Sequence, residues 1–180
     1  MGGESENTAG ERSPIFLVGM MGAGKSTVGP VLAARTGRVF VDTDHAVERA
    51  AGMTVAEIFD REGEAGFRAR ERAAIEAAGQ EAAVVALGGG AIVQPGAAAR
   101  LTERGTVVWL EADPETILGR IGDAATRPLL AGLDAEGQRE KLDALLVERK
   151  PYYARAAIRV DATRDAEAVV DAILAAMHGR

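Results

Sequence analysis

The strongest constraint on this chain is the sequence GMMGAGKS at residues 19–26, which fits the pattern G-x-x-x-x-G-K-[ST]. It lies between an apolar run at 15–18 and a helical pattern at 25–36. Glycines allow successive backbone N–H groups to face one anion, and the N-terminus of the following helix adds partial positive charge. The stretch therefore predicts a phosphate-binding loop, in which Lys25 reaches the phosphates and the Ser26 hydroxyl ligates Mg²⁺. The alternative is a glycine-rich turn with an exposed lysine.

The use of basic residues makes Lys25 distinctive. Only three of the 21 basic residues (Lys plus Arg) are lysines, at positions 25, 141 and 150. The formal net charge is −6, which gives little support to a nucleic-acid partner. Cysteine is absent, which excludes disulfides and thiolate metal sites and fits a cytoplasmic location. No apolar run is long enough to cross a bilayer, so we expect no membrane partner.

Short apolar runs alternate with amphipathic stretches after a polar leader at 1–13, which we expect to be disordered. Apolar strands separated by helices indicate an α/β fold, with a parallel sheet covered on both faces. Strands are predicted at 15–18, 39–41, 83–87, 106–110 and 158–160. Helices are predicted at 25–36, 45–51, 54–61, 64–80, 96–104, 114–121, 135–149 and 166–177. We expect a single domain over 14–180.

Two carboxylates follow the second predicted strand. Because side chains alternate along a strand, Asp42 and Asp44 are expected to point the same way, at the edge where open α/β sheets bind ligands. One carboxylate suits the shell of a metal ion and the other suits an acceptor hydroxyl. The alternative for Asp44 is an ordinary helix cap. Further on, Arg68 and Glu71 are neighbours at i and i+3, so Glu71 could hold the guanidinium, unless both lie on a solvated face.

Three more features indicate a ligand pocket. Residues 88–90 are consecutive glycines at the end of the third strand, which permits a ligand to approach the backbone, although a plain turn is the alternative. Arg127 lies in 122–134, a segment that breaks the helical periodicity and predicts a mobile loop or an ordinary helix connector. Arg149 lies near the end of a helix that Pro151 is expected to stop, where a basic residue can also simply complement the helix dipole.

Pro30 falls inside the first predicted helix, next to Gly29. Proline lacks an N–H group, and its ring should clash with the carbonyl of Ser26 unless the helix bends. The sequence therefore predicts a local kink one turn beyond the phosphate-binding loop.

Taken together, these residues resemble the shikimate kinase family. The similarity runs from about residue 15 to the C-terminus and rests on six patterns in the family's order. They are GMMGAGKST at 19–27, DTD at 42–44, GE-x-x-FR at 63–68, GGG at 88–90, RPLL at 127–130 and ER-x-P-x-Y at 148–153. The first pattern is shared by all P-loop proteins, and its combination with the others makes the resemblance specific.

The resemblance implies a three-layer P-loop NTPase fold, with a five-stranded parallel sheet in the order 2-3-1-4-5 flanked by helices. It also implies a mobile lid at about 122–134 and shikimate-binding helices at about 44–80. The implied reaction is the ATP-dependent phosphorylation of shikimate to shikimate 3-phosphate, in chorismate and aromatic amino-acid biosynthesis. ATP and shikimate are therefore the expected partners, Mg²⁺ is the expected cofactor, and we expect a monomer.

The resemblance also implies roles for particular residues. ATP would be bound by Gly22, Ala23, Gly24, Lys25, Ser26, Thr27 and Arg127. Shikimate would be bound by Asp44, Arg68, Gly88, Gly89, Gly90 and Arg149. The catalytic residues would be Lys25, Asp44 and Arg127. Ser26 would ligate Mg²⁺, and Asp42 would act through the water shell of the ion.

Two alternatives stay open at the level of sequence. A gluconate-type or nucleotide kinase would share the fold and differ in the acceptor pocket, but Arg68, Arg149 and the three glycines disfavour it. A nucleotide-dependent switch that signals through a partner belongs to a different class. The sequence has no N-K-x-D pattern for reading guanine, which weakens the GTP-dependent version of that switch.

Overall fold

The computed structural model describes residues 13–80, 82–122, 129–130 and 132–179. Five parallel strands form one sheet in the order β2-β3-β1-β4-β5. The strands are β1 (Ile15–Val18), β2 (Val39–Asp42), β3 (Ala83–Ala86), β4 (Thr106–Glu111) and β5 (Ile158–Asp161). This order confirms the α/β fold and the topology that the resemblance implied.

Helices connect successive strands or follow the last one, as the alternating sequence pattern predicts. They are α1 (Lys25–Thr36), α2 (Thr43–Ala51), α3 (Val55–Ala78), α4 (Ala97–Arg104), α5 (Pro114–Ile121), α6 (Ala135–Tyr153) and α7 (Ala166–His178). Within α3, Gly63 is not helical (φ 68°, ψ −175°), and it separates the two helices predicted at 54–61 and 64–80. In the described residues, no helix is both long and apolar enough to span a membrane.

Two hydrophobic cores hold these elements together. The larger core lies around the sheet, where every residue of β1 and β3 is buried, which explains why their sequences are continuously apolar. The smaller core joins α2 to α3 through Val47, Ile58 and Phe67. Asp44 on α2 and Arg68 on α3 are therefore carried by two helices that pack directly on each other.

The topology places a binding crevice beside β1. The chain leaves β1 for the edge strand β2 on one side, returns through β3, and then crosses β1 to reach β4 on the other side. Ligands of open α/β sheets bind at such a change of direction, outside the carboxyl ends of the strands. The phosphate-binding loop follows β1 and the three glycines follow β3, so both lie at this place.

One of the two expectations about proline is wrong. The helix α6 does not stop at Pro151 but continues to Tyr153, with the proline in its last turns. The lost hydrogen bond leaves the carbonyl of Val147, a residue that is 77% exposed and open to water. The helix α1 runs from Lys25 to Thr36 with Pro30 inside it, and the local kink expected there stays a prediction. Pro30 is exposed, so its ring projects into solvent.

The junction of β2 and α2 also differs from the expectation. The strand ends at Asp42 and the helix begins at Thr43, so Asp44 is a helical residue. Strand alternation therefore does not determine where Asp44 points. Asp42 is the residue that caps α2, because its Oδ1 accepts hydrogen bonds from the N–H groups of Asp44 and His45 at 3.1 and 3.4 Å.

Candidate active site

The phosphate-binding loop leads directly into α1. Gly24 is the N-cap of this helix and has φ 97°, a left-handed conformation that favours glycine. Among the described residues, no side chain accepts a capping hydrogen bond at this N-terminus, since the N-cap residue is glycine. The positive end of the helix dipole therefore stays open to an anion at this loop.

Lys25 is held across the loop by backbone carbonyls. Its Nζ donates hydrogen bonds to the carbonyl oxygen of Gly19 at 2.8 Å and to that of Met20 at 2.9 Å. An ammonium group carries three rotatable donors, so these contacts place the charge over the loop without fixing a single geometry. The arrangement positions one cation against any phosphate that the loop binds.

Ser26 and Asp42 form a pair of oxygen ligands beside the loop. The Ser26 hydroxyl donates to Asp42 Oδ2 at 2.9 Å, while the other carboxylate oxygen caps α2. Mg²⁺ prefers oxygen ligands and keeps several of its waters, so one hydroxyl and one nearby carboxylate suit this ion. In the described part of the chain, no group of three or more His, Cys, Asp or Glu side chains could form an all-protein metal cage.

The glycine turn after β3 makes room for charged side chains. A Cβ atom on Gly88 would lie 2.5 Å from Glu71 Oε1 and 2.9 Å from Asp44 Oδ1. A Cβ atom on Gly90 would lie 2.6 Å from Arg68 Nη2. These distances are shorter than real Cβ atoms show, so any other residue at Gly88 or Gly90 would have to displace the ends of the Glu71, Asp44 or Arg68 side chains.

Arg68 and Glu71 form an ion pair at the wall of the site. Arg68 Nη1 lies 2.8 Å from Glu71 Oε2, and Glu71 is only 2% exposed. Burial raises the pKa of the Glu71 carboxyl; the Arg68 guanidinium opposes that shift, while the negative charge of Asp44 adds to it. The pair holds a guanidinium in place. Arg68 Nε and Nη2 also donate to Oε1 of the exposed Glu64 at 3.4 and 3.3 Å, so an anion bound by Arg68 would have to compete with these longer contacts.

Arg149 approaches the same turn from α6. It is 7% exposed, its Nη1 lies 3.8 Å from Met20 Sδ, and its Nε has no hydrogen-bond partner among the described residues. A Cβ atom on Gly89 would lie 3.2 Å from Arg149 Nη1. A buried guanidinium with an unused donor is costly unless an anion binds it, so this geometry fits a carboxylate or phosphate ligand.

Tyr153 is a site residue to which sequence reasoning assigned no role. Its hydroxyl donates to the carbonyl of Gly89 at 2.7 Å, and burial raises its pKa to about 12, so it remains a protonated donor. The signal was present in the ER-x-P-x-Y pattern. Tyr153 reaches the site only from a helix that continues past Pro151. The expectation that the helix ends at this proline therefore gave Tyr153 no place in the site.

A cavity of about 540 Å³ joins these parts. Its lining includes predicted ATP, metal and acceptor residues, namely Gly22, Ala23, Gly24, Lys25, Ser26, Thr27, Asp42, Asp44, Gly88 and Gly89. Gly90, Arg68 and Arg149 are not among the described residues that line this cavity, although Arg149 lies close to Gly89 and Arg68 lies close to Gly90. Arg127 falls outside the described residues.

Arg120 is a second residue that the sequence did not indicate. It lines the cavity and donates to the carbonyls of Ala162 and Thr163 at 2.7 and 3.0 Å. It thereby ties α5 to the loop after β5, where Arg164 also lines the cavity. A lone arginine in the last turn of a predicted helix gives no signal for this contact, which joins residues more than 40 positions apart.

The fold and the loop define the class of protein: a P-loop kinase, with a charged acceptor pocket beside the phosphate-binding loop. The comparisons with known proteins then give the family. A family model described as shikimate kinase matches residues 21–178. The chain belongs to the shikimate kinase family.

Individual relatives agree with the family model. The shikimate kinase of Symbiobacterium thermophilum is 49% identical over 146 residues, covering 79% of this chain and 82% of the relative. That of Gloeobacter violaceus is 46% identical over 168 residues, covering 92% of this chain and 93% of the relative. A solved shikimate kinase from Acinetobacter baumannii, in complex with shikimate, has a TM-score of 0.80 at 42% identity and covers 91% of this chain and 93% of its own.

Proposed function

We propose that this chain transfers the γ-phosphoryl group of ATP to a hydroxyl of shikimate, giving shikimate 3-phosphate and ADP, the reaction of its family. One observation carries the proposal beyond family membership. The turn at Gly88 and Gly89 lines the phosphate cavity together with Asp44, and it lies close to the side chains of Glu71 and Arg149. A nucleotide phosphate and a small carboxylic acid can therefore meet at this backbone.

The nucleotide half of the reaction uses the phosphate-binding loop. Residues 22–27 would surround the phosphates with backbone N–H groups, and Lys25 would leave its carbonyl partners to bind the β- and γ-phosphates. Arg127, in the proposed lid at 122–134, would add a second positive charge. Both cations would stabilise negative charge that spreads over the phosphoryl group during transfer.

The oxygen pair at Ser26 and Asp42 fits Mg²⁺. Ser26 would ligate the ion, and Asp42 would hold one of its waters while keeping its place as the cap of α2. When bound, Mg²⁺ supplies positive charge at the phosphate oxygens.

The acceptor half uses two guanidinium groups. Arg68 and Arg149 would bind the shikimate carboxylate, and two forked donors around one carboxylate fix its orientation as well as its position. Glu71 would be a positioning residue for Arg68. Gly88, Gly89 and Gly90 would allow the hydroxylated ring of shikimate to lie against the backbone, next to the helices at 44–80.

Asp44 would orient the reacting hydroxyl. The hydroxyl oxygen forms a bond to the γ-phosphorus as the bond between that phosphorus and the β–γ bridging oxygen breaks. ADP leaves, and Asp44 accepts the hydroxyl proton. The pKa of the adjacent Glu71 carboxyl is raised, chiefly by burial and in smaller part by the negative charge of Asp44.

The remaining expectations are part of the same proposal. Residues 14–180 would act as one monomeric kinase domain in the cytoplasm, with residues 1–13 as a leader outside it. Closure of the segment at 122–134 would exclude water and limit wasteful hydrolysis of ATP.

The experiment is an ADP-release assay with protein, Mg-ATP and one acceptor at a time. We expect ADP release that depends on shikimate, with gluconate and nucleoside monophosphates inactive. If gluconate or a nucleoside monophosphate is phosphorylated and shikimate is not, the proposed acceptor is wrong. Slow ADP release that is indifferent to shikimate would instead support a nucleotide switch.

A further inference from the structure

Met20 contacts both halves of the site through different atoms. Its carbonyl oxygen accepts a hydrogen bond from Lys25 Nζ at 2.9 Å. Its Sδ lies 3.8 Å from Arg149 Nη1 and 3.7 Å from Tyr153 Oη. The residue is 2% exposed, whereas the adjacent Met21 is only partly buried. One residue of the phosphate-binding loop thus joins the phosphate-binding lysine to the guanidinium on α6.

The chemistry of a thioether suits this position. Sulfur is a weak and polarisable acceptor, so it can hold a buried guanidinium without competing strongly against a carboxylate ligand. Arg149 therefore stays in position yet keeps donors for an anion, in agreement with its unused Nε. A leucine would fill nearly the same space, but it would provide no acceptor.

The other side of the sulfur is fixed by a buried aromatic pair. The single hydrogen of the Tyr153 hydroxyl is donated chiefly to the Gly89 carbonyl at 2.7 Å, and Met20 Sδ is the more distant neighbour at 3.7 Å. The Tyr153 ring stacks on Trp109 with 5.8 Å between ring centroids. Tyr153 is fully buried and Trp109 is 4% exposed. Because interiors are closely packed, a shift of the loop at Met20 must be passed on to this cluster and to Arg149.

We propose that Met20 is a positioning residue that couples nucleotide binding to binding of the acceptor carboxylate. When a phosphate draws Lys25 Nζ away, the Met20 carbonyl is released and the contact between its Sδ and Arg149 changes. This inference rests on the proposed function, to which it adds a physical connection between the two substrates. Coupling of this kind is reciprocal, so shikimate must change nucleotide affinity by the same factor.

The test compares shikimate binding with and without saturating Mg-ADP, in the parent and in Met20→Leu. Trp109 is the single tryptophan of the chain, so its fluorescence reports on the Tyr153 cluster. We expect Mg-ADP to change the shikimate Kd of the parent by about fivefold. In Met20→Leu, that ratio should approach one, the Kd without nucleotide should rise about threefold, and KM for shikimate should change more than kcat.

The matched control is Met177→Leu on α7, which makes the same replacement away from the site and should keep the parent's ratio. If Met20→Leu keeps the ratio within twofold of the parent, or if the parent shows no coupling, the role of Met20 is wrong while the proposed function stands. If the parent binds no shikimate at millimolar concentration, the proposed function itself fails.

Discussion

The two halves of the site are built in different ways. The proposed nucleotide half is one continuous segment at 19–27, in which backbone N–H groups and a helix N-terminus would bind the phosphates. The proposed acceptor half takes side chains from three separate helices, with Asp44 on α2, Arg68 on α3 and Arg149 on α6, near one glycine turn.

This difference shows what each half needs in order to form. The loop requires only a strand, some glycines and a helix start, so local sequence specifies it. The acceptor pocket requires the whole topology, because α6 must be brought against the turn that follows β3. Substitutions in the first half should therefore lower kcat. Substitutions in the second half should alter the affinity for the acceptor, because they change packing and charge.

The largest effect should come from removing the cation of the nucleotide half. Lys25→Ala should lower kcat by about 10³-fold or more, because charge on the transferring phosphoryl group loses its nearest fixed cation. The fold should remain intact, as judged by an unchanged melting temperature. The exposed Lys141→Ala on α6 is the control and should keep parental turnover; substantial turnover by Lys25→Ala would contradict the role.

The next effect concerns the reacting hydroxyl. Asp44→Asn keeps the shape of the side chain but removes its charge, so kcat should fall by about 10²-fold with a smaller change in KM. Steady-state kinetics over a range of shikimate concentrations measures both quantities. Normal turnover would show that another group orients the acceptor and takes its proton.

The acceptor clamp should respond mainly in binding. Arg149→Ala should weaken shikimate binding by about 30-fold, since a charge-assisted hydrogen-bond pair is lost from a buried place. Arg149→Lys keeps the charge without the fork and should recover only part of the affinity. A Kd for Arg149→Ala within about twofold of the parent, or 0.4 kcal/mol, would remove Arg149 from the clamp.

A smaller effect is expected from filling the glycine turn. In Gly88→Ala, the added methyl would press on Glu71 Oε1 and Asp44 Oδ1, so KM for shikimate should rise several-fold and stability should fall by about 1–3 kcal/mol. Gly119→Ala on α5 is the control, because a Cβ atom there meets nothing within 4 Å. The control should leave KM unchanged and gain up to about 1 kcal/mol of stability. If the two variants have the same KM for shikimate and the same stability, the turn at Gly88 is not crowded.

The smallest effect is a pH dependence of stability at Glu71. Burial raises the folded-state pKa of this carboxyl above its ordinary value of 4.5. Its stabilising contribution is therefore fully present below the ordinary value and is lost as pH rises through the raised one. Glu71→Gln does not titrate, so its melting temperature should improve relative to the parent as the pH rises above 4.5. Parallel curves for the two proteins would contradict this.

Much of the fold could be predicted from the sequence, because local pattern and punctuation agree with the topology. The predicted bounds of β1, α1 and α5 match the structure, and a capping box formed by Thr54 and Glu57 starts α3 where a helix is predicted from residue 54. The three glycines at 88–90 favoured a ligand pocket over a plain turn, which stays a prediction, and the side chains that lie next to them could not be identified from the sequence.

The rest depends on contacts between distant residues. Tyr153 belongs to the site only because α6 continues through Pro151, and the rule that proline ends a helix gives the opposite expectation. Met20 was one of two unassigned methionines in the loop, and only the packing distinguishes the buried one. Arg120 acts through backbone carbonyls of a loop far along the chain, which no local pattern can reveal.

The central claim is that one turn of glycines brings a bound nucleotide and a clamped carboxylic acid together. A crystal structure of the chain with shikimate and Mg-ADP tests it most directly. We expect the carboxylate between Arg68 and Arg149, with a ring hydroxyl near Asp44 and facing the phosphate-binding loop. Shikimate bound in a place remote from both arginines would contradict the account, even if the nucleotide lies as expected.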